Sequence, residues 1–230
     1  MASPRWVVGI GNPGPDYAAT RHNAGFMIVD ALAARLGAAW RPDGAGGSVA
    51  TGRRGDAPFT LARPGTFVNR TGLAVARLRD VAGPAFDPSR LLVLVDDMAL
   101  PLGRLRLRAA GSDGGHNGLR SVIAELETDA FPRLRAGIGG VPAAAWREHV
   151  LAPFDAEETA LMERVVAKAA EIAEGFLDGR PLAELQAEAN RAFPRKPVPG
   201  TGGPGDRGER RDGPPDRGAR GESSLAGELQ

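Results

Sequence analysis

The chain of 230 residues contains no cysteine, which excludes a disulfide framework and a thiolate nucleophile. No apolar run approaches the length that spans a bilayer, and no basic segment followed by an apolar one opens the chain. Cytoplasmic residence is therefore the expectation. Excess charge is also missing: residues 1–194 carry 22 basic and 22 acidic side chains. Binding of a polyanion must then come from local clustering, not from net charge. Neither a G-x-x-x-x-G-K-[ST] phosphate loop nor a G-x-S-x-G nucleophile elbow occurs. Three isolated histidines, with no i, i+4 pair and no cysteine, argue against a zinc site.

Large apolar residues are nearly absent from residues 195–230, which hold 9 glycines, 5 prolines and no aromatic. Such a segment cannot bury enough apolar surface to offset its ordering entropy. The composition predicts a catalytic-sized domain over 1–194 and a disordered Gly/Pro/Arg-rich tail over 195–230. Overall hydrophobic content is 42%, enough for one well-buried domain.

Within the body, apolar strands and amphipathic helices alternate. "RWVVGI" and "LLVLV" read as buried strands, and "LRAGIG" as another strand. "GSVATGRRGDAPFTLARP" reads as two strands around a Gly55-Asp56 turn. "LGRLRLR" alternates as a half-exposed strand. Helical spacing marks "NAGFMIVDALAARLG", "GLAVARLRDVAG" and "GLRSVIAELE", then two helices across residues 155–193. The pattern predicts an α/β fold: a single-domain three-layer sandwich on a mixed, mostly parallel sheet with helices on both faces.

"VVGIGNPG" contains Gly9, Gly11 and Gly14 in a G-x-G-x-x-G spacing. In a dinucleotide site a helix begins inside that motif and turns its free N–H groups to the pyrophosphate. Here Pro13 and Pro15 interrupt the stretch, and no acidic residue occurs in "SVATGRRG". The motif therefore predicts a tight turn presenting Asn12 at a strand end, where α/β folds place their sites. Other polar groups gather at equivalent places: His22 before the first helix, Asn69 before the second, Asp96 and Asp97 after the central strand, and His116 and Asn117 before the third.

The stretches "VVGIGNPGPDYAATRHNAGF", "PGTFVNRTG", "LVDDMALPLG", "GSDGGHNGLRSVI" and "FPRLRAGIG" resemble, in order and spacing, the bacterial-type peptidyl-tRNA hydrolases over about residues 6–193. The resemblance implies hydrolysis of the ester between a peptide and the 3′-terminal adenosine of tRNA. It implies a monomer that uses neither metal nor cofactor. It assigns His22 as the catalytic histidine, Asp96 as its carboxylate partner, and Asn12, Asn69 and Asn117 as site asparagines. Arg108 and Arg135 fall on positions that contact tRNA phosphate. Two departures stand out: Ala99 occupies a place where the family usually has an acid, and Gly140 one that is often basic or polar. The alternative is a catalytically altered paralogue that only binds tRNA or peptide.

The chemistry agrees. Histidine takes a proton from water near neutral pH with little tuning, and Asp96 can fix its tautomer. Without a serine elbow or cysteine, water is the expected nucleophile. Asparagine amides, both donor and acceptor, suit a peptide backbone of any sequence. Either Asn12 or Asn117 is the candidate donor to the oxyanion. Arg104, Arg106 and Arg108 at period 2 predict one basic strand face, and Arg133 and Arg135 alternate likewise. Tyr17 and Phe67 are placed to stack or to line the peptide groove.

Overall fold

The run Leu91–Asp97 is buried along its whole length, and the rest of the molecule is arranged around it. The computed structural model describes residues 3–193; the predicted tail lies outside the described residues. Seven strands form one sheet: β1 Arg5–Gly9, β2 Arg41–Pro42, β3 Ser48–Arg54, β4 Ala57–Arg63, β5 Leu91–Asp97, β6 Leu105–Arg108 and β7 Arg133–Gly137. Their order is β2-β3-β4-β1-β5-β7-β6. The four central strands β4, β1, β5 and β7 are parallel, and the remaining pairings are antiparallel. Six α-helices accompany the sheet: α1 Ala24–Arg35, α2 Thr71–Ala82, α3 Asn117–Leu126, α4 Trp146–Leu151, α5 Ala156–Leu177 and α6 Leu182–Arg191. None is long and apolar enough to cross a membrane.

Alternation along β5 separates two cores. Leu92 and Leu94 join the cluster built with Ile28 and Leu32 of α1 and Val165 and Ile172 of α5. Leu91, Val93 and Val95 join Val75 of α2 and Leu119 and Val122 of α3. A strand covered on both faces is read as a continuous apolar run, and both helical layers are present. The hairpin also forms as expected, with Arg54 opposite Ala57 and Gly55 at φ 55° in the turn.

The glycines of "VVGIGNPG" serve packing. A Cβ on Gly9 would lie 2.5 Å from the Gly25 carbonyl oxygen, and one on Gly25 would lie 2.4 Å from that of Leu94. The start of α1 is thus pressed against the ends of β1 and β5. That contact brings the residues before α1 beside the end of β5.

Two expectations about arginines are corrected. Arg133 and Arg135 do not lie on a solvated face, because β7 is an interior strand and all five of its residues are buried. The Arg133 guanidinium instead donates to the carbonyls of Phe131, Gly111, Ser112 and Asp129, which satisfies its donors out of water. Arg104 does not share a face with Arg106 and Arg108. It precedes β6 and donates to the carbonyls of Asn190 and Phe193 at the end of α6. Helix α4 was not anticipated, since six residues are too few to reveal a helical period.

Candidate active site

Four loops at the carboxyl ends of the parallel strands converge on a cavity of about 890 Å³, within the range of ligand sites. Asn12 follows β1. His22 lies in a 3-10 turn, Arg21–Asn23, that leads into α1. Asn69 occupies the turn Val68–Arg70 before α2. Asp96 ends β5, and His116 and Asn117 begin α3. All six line the cavity.

Asp96 is 1% exposed and is the hub. Its Oδ1 accepts from His22 Nδ1 at 2.9 Å and from His116 Nε2 at 3.0 Å. The tautomers follow from the remaining bonds. His116 is the N-cap of α3, and its Nδ1 accepts from the N–H groups of Gly118 and Leu119 at 3.1 and 3.3 Å. Nδ1 is therefore unprotonated, and Nε2 carries the proton given to Asp96. His22 donates through Nδ1, which leaves the Nε2 lone pair free. Among the described residues no group bonds that nitrogen. Burial alone would depress the His22 pKa, but the charge and hydrogen bond of Asp96 outweigh it, and the net shift is upward from 6.5. Burial likewise opposes ionisation of Asp96, yet its two histidine partners hold the carboxyl well below the usual carboxylate range.

His22, Asp96 and His116 place three donor atoms within 4.8 Å of one another. A metal on His116 Nε2 would require a proton on Nδ1, where two backbone N–H groups already point. The helix cap thus selects the wrong tautomer for a ligand, and the trio suits hydrogen bonding.

Asn12 is held from three directions. Its backbone N–H donates to Asn23 Oδ1 at 2.8 Å, and its carbonyl accepts from Asn23 Nδ2 at 3.0 Å. Its side-chain Oδ1 accepts from the Val68 N–H at 3.0 Å. With Oδ1 committed, the Nδ2 donors are left without a partner among the described residues. Asn69 is exposed, and Asn117 is exposed with its Oδ1 accepting from Arg120. None of the three caps a helix. Phe67, 54% exposed, forms part of the wall, while Tyr17 meets it edge-on at 6.1 Å and backs it from outside the cavity.

His116 as a partner of Asp96, Asn23 as the clamp on Asn12, and the α4 wall of Trp146, Val150 and Leu151 were not singled out from sequence. "RHN" and "GHNG" held the only signal for the first two. The third histidine, His149, donates to the carbonyls of Ile138 and Gly139 at 3.1 Å and anchors α4 to the end of β7.

A second cavity of about 340 Å³ adjoins the first, sharing Asp97, Ala99, Gly114 and Arg135. Register sets Arg106 opposite Arg135 and Arg108 opposite Arg133, so four guanidinium groups share one face of the sheet edge. Arg106 and Arg108 are exposed and have no side-chain partner among the described residues. Arg135 is 8% exposed and paired with Asp97 at 3.2 Å. Ala99 leaves the passage between the cavities without an acidic side chain.

Comparison with known proteins agrees with this geometry. Residues 6–196 match the peptidyl-tRNA hydrolase family. The peptidyl-tRNA hydrolase of Symbiobacterium thermophilum is 47% identical over 176 residues, covering 74% of this chain and 91% of that protein. That of Mycobacterium tuberculosis is 48% identical over 143 residues, covering 62% of this chain and 74% of that one. The crystal structure of the peptidyl-tRNA hydrolase from Acinetobacter baumannii superimposes with a TM-score of 0.77 at 31% identity, covering 84% of this chain and 97% of that chain. Fold, site geometry and sequence together show that this chain belongs to the peptidyl-tRNA hydrolase family.

Proposed function

We propose that this chain hydrolyses the ester linking a peptide, or an N-blocked aminoacyl group, to the 3′-terminal adenosine of tRNA, and so recycles tRNA. The observation that carries the reading is the free Nε2 of His22, facing a large cavity while Nδ1 is tied to a buried, ionised Asp96. In this mechanism His22 Nε2 takes a proton from water as the water oxygen attacks the ester carbonyl. Asp96 keeps the ring in the right tautomer and stabilises the imidazolium. The protonated ring then delivers its proton to the departing ribose oxygen. Asn12 Nδ2, oriented by the Val68 N–H, donates to the developing oxyanion. A donor of this kind contributes on the order of 3–4 kcal/mol in enzymes where it has been removed.

Asn69 and Asn117 hold the peptide backbone, and Phe67 with the α4 wall covers its side chains. Arg106 and Arg108 supply the phosphate contacts of the tRNA, with the Arg135 side of the second cavity behind them. The protein acts as a cytoplasmic monomer through residues 1–194, without metal or cofactor. Incubation with N-acetyl-aminoacyl-tRNA tests the reading. Wild-type protein releases free tRNA, and His22→Ala loses about 10²–10⁴-fold in turnover. Near-normal turnover by His22→Ala would overturn the mechanism.

A further inference from the structure

Arg135 stands on the wall common to both cavities. Its donors point away from solvent. Nη1 donates to Asp97 Oδ2 at 3.2 Å, and Nη2 donates to the carbonyls of Ser112 and Asp113, each at 3.1 Å. The Asp113 carbonyl also accepts the backbone N–H of His116 at 3.1 Å. His116 Nε2 in turn donates to the Asp96 oxygen that receives His22. A connected set of bonds therefore runs from the Arg135 guanidinium through the glycine-rich loop to the catalytic pair.

The loop lies directly on this guanidinium. Gly114 has φ 60°, and a Cβ built there would be 3.2 Å from both Nη atoms of Arg135. On its other side Arg135 grips Asp97, the chain neighbour of Asp96 at the end of β5. Arg106 and Arg108, one strand away, make no such bonds among the described residues. The two arginine pairs are built for different work.

We infer that Arg135 is a positioning residue for hydrolysis. It clamps the 111–116 loop to the end of β5, so that His116 and the strand present Asp96 Oδ1 to His22 in one geometry. The inference rests on the reading of His22 as the base. A planar fork is required, because three acceptors at two different nitrogens cannot be met by the single nitrogen of lysine. Small misplacements of a catalytic group carry large rate costs.

The test is Arg135→Lys, which keeps the positive charge and removes the fork. It is assayed on full-length N-acetyl-aminoacyl-tRNA and on the N-acetyl-aminoacyl ester of adenosine, which lacks the tRNA body. The expected result is a kcat about 10- to 100-fold lower on both substrates by the same factor, with KM for the adenosine ester unchanged. A wild-type kcat on the adenosine ester, with any loss confined to KM for the tRNA, overturns the inference and makes Arg135 a phosphate ligand only. Histidine ring signals in nitrogen-resolved NMR provide a readout independent of turnover. Arg135→Lys shifts those of His116 and His22; unchanged signals overturn the inference. If wild-type protein cleaves neither substrate, the hydrolase reading fails and the ring signals alone decide the positioning role. Should Arg135→Lys fail to fold, Asp97→Asn removes one arm of the clamp. A lower kcat on the adenosine ester then supports the inference, and a wild-type value overturns it.

Discussion

At the scale of residues, the site depends on one carboxylate oxygen that accepts two histidine protons. Because the pKa of His22 is raised from 6.5, mainly against its burial and by Asp96, the neutral base accumulates only above that value. The kcat/KM profile therefore rises with pH through an apparent pKa above 6.5. Asp96→Asn removes the charge that raises it and leaves burial, which acts downward. The acid limb then moves to lower pH while kcat falls, and a pH–rate profile checks both shifts. A limb that stays in place would mean that Asp96 does not set the ionisation of His22. His22 and Asp96 were legible as a pair in the sequence. His116 was not, because its importance comes from a tautomer selected by a helix cap, and residue spacing carries no information about tautomers.

At the scale of elements, small residues bring the chemistry together. Gly25 lets the start of α1 touch the carbonyl oxygens of Leu94 and Ile10, at 2.4 and 2.5 Å from a hypothetical Cβ. Gly25→Ala must lift the helix, and overpacking of this kind costs about 1–3 kcal/mol. Urea unfolding should show that loss, together with a lower kcat, since the 3-10 turn holding His22 moves with α1. Unchanged stability would mean that the helix start yields freely. Arg21 also ties this turn to the capping box of α5, through Glu158 at 2.5 Å and the Pro153 carbonyl at 2.7 Å. The G-x-G-x-x-G pattern was readable as a non-nucleotide turn from its prolines alone. Its actual partner, a helix start 11 residues or more away, became visible only in the fold.

At the scale of the whole molecule, charge is balanced overall but gathered locally. The exposed Arg106 and Arg108 stand beside the second cavity, and phosphate contacts of this kind release counterions. Arg106→Ala with Arg108→Ala should raise KM for peptidyl-tRNA and reduce the salt slope of binding by about 1 per arginine. Titration of binding against salt checks this; an unchanged slope would place the RNA elsewhere. Deleting residues 195–230, which contain only Val198, Leu225 and Leu229 as large aliphatics, should leave the melting temperature and turnover of the remaining chain unchanged. A melting temperature several degrees lower would show that the segment contributes to the folded unit.

The sequence alone determined the order of strands and helices, because burial on one or both faces writes periods of 2 and 3.6 directly into the chain. It also marked Asn12, His22, Asn69, Asp96 and Asn117 as a set, through their shared place at element ends. Only the tertiary structure decided which arginines meet solvent. Arg106 and Arg135 carry the same alternation, yet β6 is an edge strand with exposed arginines while β7 is enclosed between β5 and β6. Strand order arises from pairings between distant segments, and local periodicity does not encode which strand becomes the edge. The same reason separates a guanidinium left free for phosphate from one whose donors are all directed inward to Asp97 and the glycine-rich loop.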